Sequence, residues 1–229
     1  MNDNISLLSR LRGRLIVSCQ AEAHEPLHGP KLMAAMARAA IEGGAAGIRA
    51  NGPADIKAIR QATGLPIIGI FKVDLNGYAV RITPRLGDAI AVAQAGADII
   101  ALDATFRPHP EHENAAALIQ EVRLVTGCPV MADVSNLDEG LAAAQAGADL
   151  VATTLSGNTE SSPRQAGPDF ELVQHLAARL TIPVIAEGRI SSPQLARCAL
   201  DLGAYAVVVG AAITRPQWIT RQFTQALSR

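Results

Sequence analysis

The chain has no block of like charge. Its 20 Lys and Arg against 21 Asp and Glu leave a formal net charge of −1 over 229 residues, which removes the electrostatic footprint of a nucleic-acid-binding or membrane-surface protein. It also has no apolar run near the roughly 18 to 20 residues needed to cross a bilayer. The first residues, MNDNISLLSRLRGR, lack the charged start and apolar stretch of a signal peptide, so the expected location is the cytoplasm. Cysteine is scarce, and Cys19, Cys128 and Cys198 are odd in number and far apart, which reads as packed thiols in a reducing compartment rather than a disulfide framework. No linker-like or low-complexity stretch breaks the pattern, and the length suits one domain over residues 1–229 with a large core.

What the chain does have is repetition. Ala93 to Asp103 (AQAGADIIALD) and Ala144 to Thr154 (AQAGADLVATT) open with the same six residues and end by turning from apolar to polar. Related segments begin at Gly44 and Gly203, which places Gly44, Gly96, Gly147 and Gly203 at steps of 52, 51 and 56 residues. Between them stands a second series, each a proline followed by an apolar run, at Pro66, Pro129 and Pro183. With Leu15–Ser18 the strand count is eight.

The segments between these strands read as helices. Lys31–Glu42 places Leu32, Met36, Ala39 and Ala40 on one face and is closed by Gly43-Gly44. Pro53, Pro84, Pro168 and Pro193 stand at or near helix starts, where a missing N–H does no harm. Asn136 is positioned as an N-cap. Short Ile- and Val-rich strands alternating with helices indicate parallel pairing with helices outside. Eight such units make a single (β/α)8 barrel of the TIM type. A doubly wound sheet is the competitor, but no glycine-rich dinucleotide loop follows the first strand.

Active sites in such barrels lie at the carboxyl ends of the strands. Read in order, the strand ends give Gln20, Arg49, Lys72, Asp103, Asp133, Thr153 with Thr154, Glu187, and the pair Gly210-Ala211. Lys72 follows the apolar run Ile67–Phe71, and desolvation there would lower its pKa toward the range of a base. A salt bridge to Asp74, Asp103 or Asp133, or a Schiff-base role, remains open at this point. Glu187 closes the seventh strand, and Gly188 and Gly210 stand in the two loops that commonly cradle phosphate in such barrels. Arg49, Arg189 and Arg215 could add charge there. The loop Arg107–Glu113 carries two histidines and two glutamates, but reads as solvated surface rather than a metal site. His24 and His28 are expected to face water, while the stretch near Trp218 and Phe223 could be a core-facing helix or an interface.

The ordered combination Gly47-Ile48-Arg49-Ala50-Asn51-Gly52, Phe71-Lys72, Thr153-Thr154-Leu155-Ser156-Gly157, Ala186-Glu187-Gly188-Arg189 and Gly210-Ala211-Ala212-Ile213-Thr214-Arg215-Pro216 resembles the N-acetylmannosamine-6-phosphate 2-epimerase family from about Gly13 onward. The loop Asp74–Tyr78 matches that family only loosely. The resemblance implies a cofactor-free isomerase of amino-sugar and sialic acid breakdown, acting on a small phosphosugar without metal, nucleic acid or membrane. A monomer and a homodimer are both compatible with it. It implies Lys72 as base and Glu187 as partner acid and base. Gln20, Arg49, Asp133, Thr153 and Thr154 would meet the sugar, Gln20 or Arg49 facing the developing oxyanion and Asp133 holding a hydroxyl or orienting Lys72. Arg215 and the backbone of Gly188, Arg189, Gly210 and Ala211 would hold the 6-phosphate. Another phosphosugar isomerase, a Schiff-base aldolase, or a non-catalytic sugar-phosphate sensor would share many of these features.

Overall fold

A computed structural model describes the backbone of residues 2–228 and the side chains of residues 6–228. After α1 (Asn2–Ser9), strands and helices alternate: β1 (Leu15–Cys19), α2 (Pro30–Glu42), β2 (Gly47–Asn51), α3 (Pro53–Ala62), β3 (Ile67–Ile70), α4 (Leu86–Gln94), β4 (Ile99–Asp103) and α5 (Ala115–Thr126). There follow β5 (Val130–Asp133), α6 (Leu137–Gln145), β6 (Leu150–Ala152), α7 (Phe170–Arg179), β7 (Val184–Glu187), α8 (Pro193–Asp201), β8 (Ala206–Val209), α9 (Ala211–Thr214) and α10 (Pro216–Leu227). All neighbours pair in parallel, and β8 returns to β1 through Leu15 with Val207, Ile16 with Val208 and Val17 with Val209. The sheet is a closed eight-stranded barrel.

The strands read as continuous apolar runs because both of their faces are covered. Ile16, Ile68, Ile70, Ile99, Ala101, Met131, Leu150, Ile185 and Val208 fill the interior, while Val17, Ile48, Ile67, Ile100, Ala132 and Val151 pack outward with the helices. This period of two decides which side chains point at the barrel axis.

The repeated AQAGAD unit is one turn used twice. Each Gly of the set Gly44, Gly96, Gly147 and Gly203 has φ between +91° and +101°, a conformation that favours glycine. In the two full copies the following Asp also closes the turn: Asp98 accepts the N–H of Ile67, and Asp149 that of Val130. Each Asp also pairs with an arginine of the helix one unit earlier in the chain, Arg60 of α3 or Arg123 of α5. The predicted cap forms at Asn136, which accepts from the N–H of Glu139.

Two expectations need correction. Helix α2 buries Met33, Ala34 and Ala37 and packs Met36 and Ala40 against the same core, whereas Leu32 is 41% exposed; the helix is apolar nearly all round, and the face it turns to the barrel is rotated partway from the expected one. Helix α10 has no buried residue, which removes the core-facing alternative for Trp218 and Phe223. An unexpected feature closes the amino end of the barrel, where Leu11 joins the interior cluster with Leu7, Leu8 and Tyr205 against it. Gly47 makes room for this plug, since a Cβ there would lie 2.8 Å from Leu11.

Candidate active site

Ile16, Ile68, Ile99, Met131, Leu150, Ile185 and Val208 point inward, so the residues two or four places on from them carry the same face to the rim. That face holds Ser18 and Gln20, Lys72, Asp103, Asp133, Thr154, Glu187 and Gly210. On β2 the outward Ile48 and Ala50 leave Arg49 and Asn51 inward. Gln20, Arg49, Lys72, Asp103, Arg107, Thr154 and Glu187 line one cavity of about 440 Å³ at the carboxyl ends of the strands. That volume falls within the roughly 300 to 1,000 Å³ of small-molecule sites.

Alternation corrects two placements. Thr153 falls on the outward face, and its hydroxyl donates to the Glu187 carbonyl at 3.0 Å while accepting the Glu187 N–H at 3.1 Å. It therefore fixes the backbone of Glu187 and does not line the cavity. Arg49 does not end its strand: it sits mid-strand, 1% exposed, and its guanidinium pairs with both Asp133 and Glu187. Thr154 completes this buried group by donating to Asp133 at 2.6 Å. Asp133 is thus committed to Arg49 and Thr154, and orients Arg49 rather than Lys72. Four buried side-chain polar atoms have no partner among the described residues, and two of them, Arg49 Nε and Gln20 Oε1, belong to residues that line this cavity. Buried groups of this kind normally find partners, and both residues border the cavity, so a polar ligand is the natural partner for each.

Lys72 is carried by a local structure that no strand pattern announces. Beyond β3 the chain turns back on itself, with Lys72 and Ile82 forming an antiparallel bridge. Val73 donates to Arg81 and Thr83 to Phe71. The Lys72 N–H donates to Asn51 Oδ1 at 2.8 Å, and Ile82 is welded to β4 through the Asp103 N–H. Lys72 pairs with none of Asp74, Asp103 or Asp133. Asp74 is bound by Arg81 and Asp103 by Arg107, and the partner of Lys72 is Glu22 at 3.7 Å.

Burial pushes the Lys72 amine below the ordinary lysine range, Arg49 and Arg81 push the same way, and Glu22 and Glu187 oppose them. Glu187 moves up from the ordinary carboxylate range, because burial and Asp133 outweigh the Arg49 cation. The two groups are displaced toward each other, as a base and an acid at neutral pH require. Removing the Glu22 charge takes away an anion that holds the Lys72 proton. Glu22→Gln should therefore lower the pKa of the Lys72 amine further; an NMR titration of the labelled lysine amine in both proteins checks this, and an unmoved titration would mean that Glu22 does not hold the proton.

Gly188, Arg189, Gly210, Ala211 and Arg215 border a second cavity of about 600 Å³, which shares Glu187 with the first. Gly188 has φ +111°, a backbone only glycine adopts without strain. Arg189 brings its main chain here but not its charge, since its guanidinium donates to the carbonyls of Gly167 and Ser156, both at 2.6 Å. The Arg215 guanidinium meets Glu25 at 3.0 Å. The loop Arg107–Glu113 is not simply solvated surface. His109 is 5% exposed, with its ring nitrogens 2.9 Å and 3.0 Å from the carbonyls of Asp103 and Arg107, and His112 pairs with Glu121. No cluster of three or more His, Cys, Asp or Glu suited to a metal occurs among the described residues. His24 and His28 are exposed. Asn51 was discoverable from strand parity beside Arg49. Glu22 comes from an irregular loop and carries no sequence signal.

A closed parallel barrel whose carboxyl-end rim gathers an amine, carboxylates and a buried guanidinium around one cavity defines the class, a (β/α)8-barrel enzyme. The chain belongs to the family described as "Putative N-acetylmannosamine-6-phosphate epimerase", which matches residues 33–229. A relative from Thermosynechococcus vestitus, named "Putative N-acetylmannosamine-6-phosphate 2-epimerase", is 50% identical over 223 residues and covers 97% of each chain. One of the same name from Clostridioides difficile is 48% identical, covering 96% of this chain and 99% of its own. The solved structure of the N-acetylmannosamine-6-phosphate 2-epimerase from Clostridium perfringens superposes with a TM-score of 0.93 at 47% identity, covering 96% of this chain and 95% of that one.

Proposed function

We propose that this protein inverts C2 of N-acylated hexosamine 6-phosphates, interconverting N-acetylmannosamine 6-phosphate and N-acetylglucosamine 6-phosphate in amino-sugar and sialic acid breakdown. The observation that carries the reading is the pairing of Lys72 and Glu187 at one cavity, with the amine held low and the carboxyl held high. Opening of the sugar ring exposes an aldehyde at C1, which acidifies the C2 proton. Neutral Lys72 takes that proton, the C–H electron pair moves into the C1–C2 bond, and the former aldehyde oxygen gains charge. Protonated Glu187 gives its proton to that oxygen, and Arg49 Nε is a donor still free to stabilise it. Rotation about the C2–C3 bond turns the other face of C2 to the Lys72 ammonium, which returns a proton there while Glu187 takes back the proton from the C1 oxygen, and the aldehyde re-forms on the epimer. Gln20 and Thr154 meet the sugar, and the backbone of Gly188, Arg189, Gly210 and Ala211 holds the phosphate with Arg215.

No step requires a cofactor or metal. We read residues 1–229 as one catalytic domain acting in the cytoplasm on a small molecule. No helix among the described residues is long and apolar enough to cross a membrane. Helix α10, with Phe223 at 68% and Leu227 at 82% exposure, supports a homodimer.

The test is isotopic. Incubated with N-acetylglucosamine 6-phosphate in deuterated water, the protein should place deuterium at C2 and form the manno epimer, both followed by NMR. Folded protein that binds the sugar phosphate yet leaves C2 protonated would end this reading.

A further inference from the structure

The reaction cavity adjoins two others. Through Glu187 it meets the cavity of Gly188, Gly210 and Arg215. Elsewhere it shares Ala79, Arg107 and Asn158 with a larger outer cavity of about 1050 Å³. A hexosamine 6-phosphate has the same two-ended form. Its phosphate hangs from C6 and its acylamino group from C2, at the far end of the carbon chain. With the phosphate at the glycine loops and C2 at Lys72, the acylamino group is directed away from the phosphate and toward the shared wall.

Arg107 on that wall is held from several directions. Its Nη2 pairs with Asp103 at 2.5 Å and its Nε donates to Thr105 Oγ1 at 2.9 Å. The Thr105 hydroxyl in turn donates to Asp103 at 2.6 Å. Asp103 is 1% exposed, and His109 sits against the carbonyls of both Asp103 and Arg107. A guanidinium fixed in this way loses little entropy when it binds a ligand. Its Nη1 makes no hydrogen bond among the described residues. Beyond the wall, Tyr78 and Phe106 line the outer cavity and are 38% and 62% exposed.

We propose that this gap is the N-acyl subsite: Arg107 Nη1 donates to the acyl carbonyl oxygen, and the acyl tail passes between Ala79 and Asn158 into the outer cavity. The subsite rests on the C2-epimerase reading above and extends its substrate class to N-acyl hexosamine 6-phosphates with chains longer than acetyl. A closed acetyl pocket would reject two added methylenes, since each misfit methylene in a shaped pocket is worth about 10- to 200-fold. An open passage would not.

The experiment compares N-acetyl- and N-butanoylglucosamine 6-phosphate in wild-type protein and in Ala79→Phe, which narrows the passage at an exposed loop position. In the wild type, kcat/KM for the butanoyl substrate should stay within about tenfold of the acetyl one. In Ala79→Phe the butanoyl-to-acetyl ratio should fall by at least about tenfold. A smaller fall, or a wild-type ratio below one in ten, overturns the proposal. For the arginine, Arg107→Met should raise KM for the N-acetyl substrate more than it lowers kcat, with part of the loss restored in Arg107→Lys; equal damage to both parameters, or no restoration, marks Arg107 as merely structural and overturns its role. Calorimetric binding of both sugars beside deuterium exchange at C2 separates the two readings. Butanoyl binding that matches acetyl binding in the wild type and is lost in Ala79→Phe, without exchange in the wild type, would refute the epimerase reading and leave the subsite standing.

Discussion

Lys72→Met should abolish deuterium exchange at C2 and epimerisation together while leaving the barrel folded. A positioned acid or base contributes about 10²- to 10⁴-fold to a proton transfer, and no other amine lines the cavity among the described residues, so a fall in kcat of at least about 10³-fold is expected. The folded state should hardly notice. The Lys72 side chain is 25% exposed and its one ion pair, to Glu22, spans 3.7 Å, the kind of contact worth about 0 to 1 kcal/mol. Methionine keeps the apolar stem. Single-turnover NMR in deuterated water, read beside thermal unfolding, checks both halves; a folded variant that still exchanges C2 would move the base elsewhere.

The second large effect is on stability. In Arg49→Met the Asp133 and Glu187 carboxylates lose the cation between them, and Asp133 is 0% exposed. Removing one partner of a buried charged group costs about 3 to 5 kcal/mol. The sign with pH follows from Glu187, whose folded pKa already lies above its ordinary value through burial and rises further once the Arg49 cation that opposes this is gone. The folded state binds the extra proton, so stability is fullest below the unfolded carboxylate pKa and is lost as pH rises through the folded one. Denaturant unfolding should therefore show a smaller deficit near pH 5 than near pH 8. A deficit independent of pH would mean that the loss is packing alone.

Particular residues mark how far the sequence could be read. The eight strands and the four glycine turns were legible because each uses local chemistry, an apolar run or a positive φ, that recurs. The rim was legible as a set but not in its divisions of labour. Thr153 and Thr154 look equivalent in a row of letters, and only the parity of β6 sends one to the backbone of Glu187 and the other to Asp133. Arg49 reads as a strand end because a charge interrupts an apolar run, yet two further residues continue the ladder, and the charge is tolerated inside because two carboxylates from β5 and β7 meet it there. Those partners lie 84 and 138 residues away, beyond any local signal. The Leu11 plug, the buried His109 and the Glu22 contact are likewise products of tertiary closure.

The Lys72–Ile82 bridge has a consequence for motion. A base carried on a free loop could swing in with a closing flap and leave with it. Here the segment bearing Lys72 is laced to β2 through Asn51 and to β4 through Ile82, so moving it would unpick the top rung of the barrel itself. The amine can travel only as far as its own four methylenes allow. Any loop movement over the proposed substrate therefore leaves the Lys72 backbone where it is.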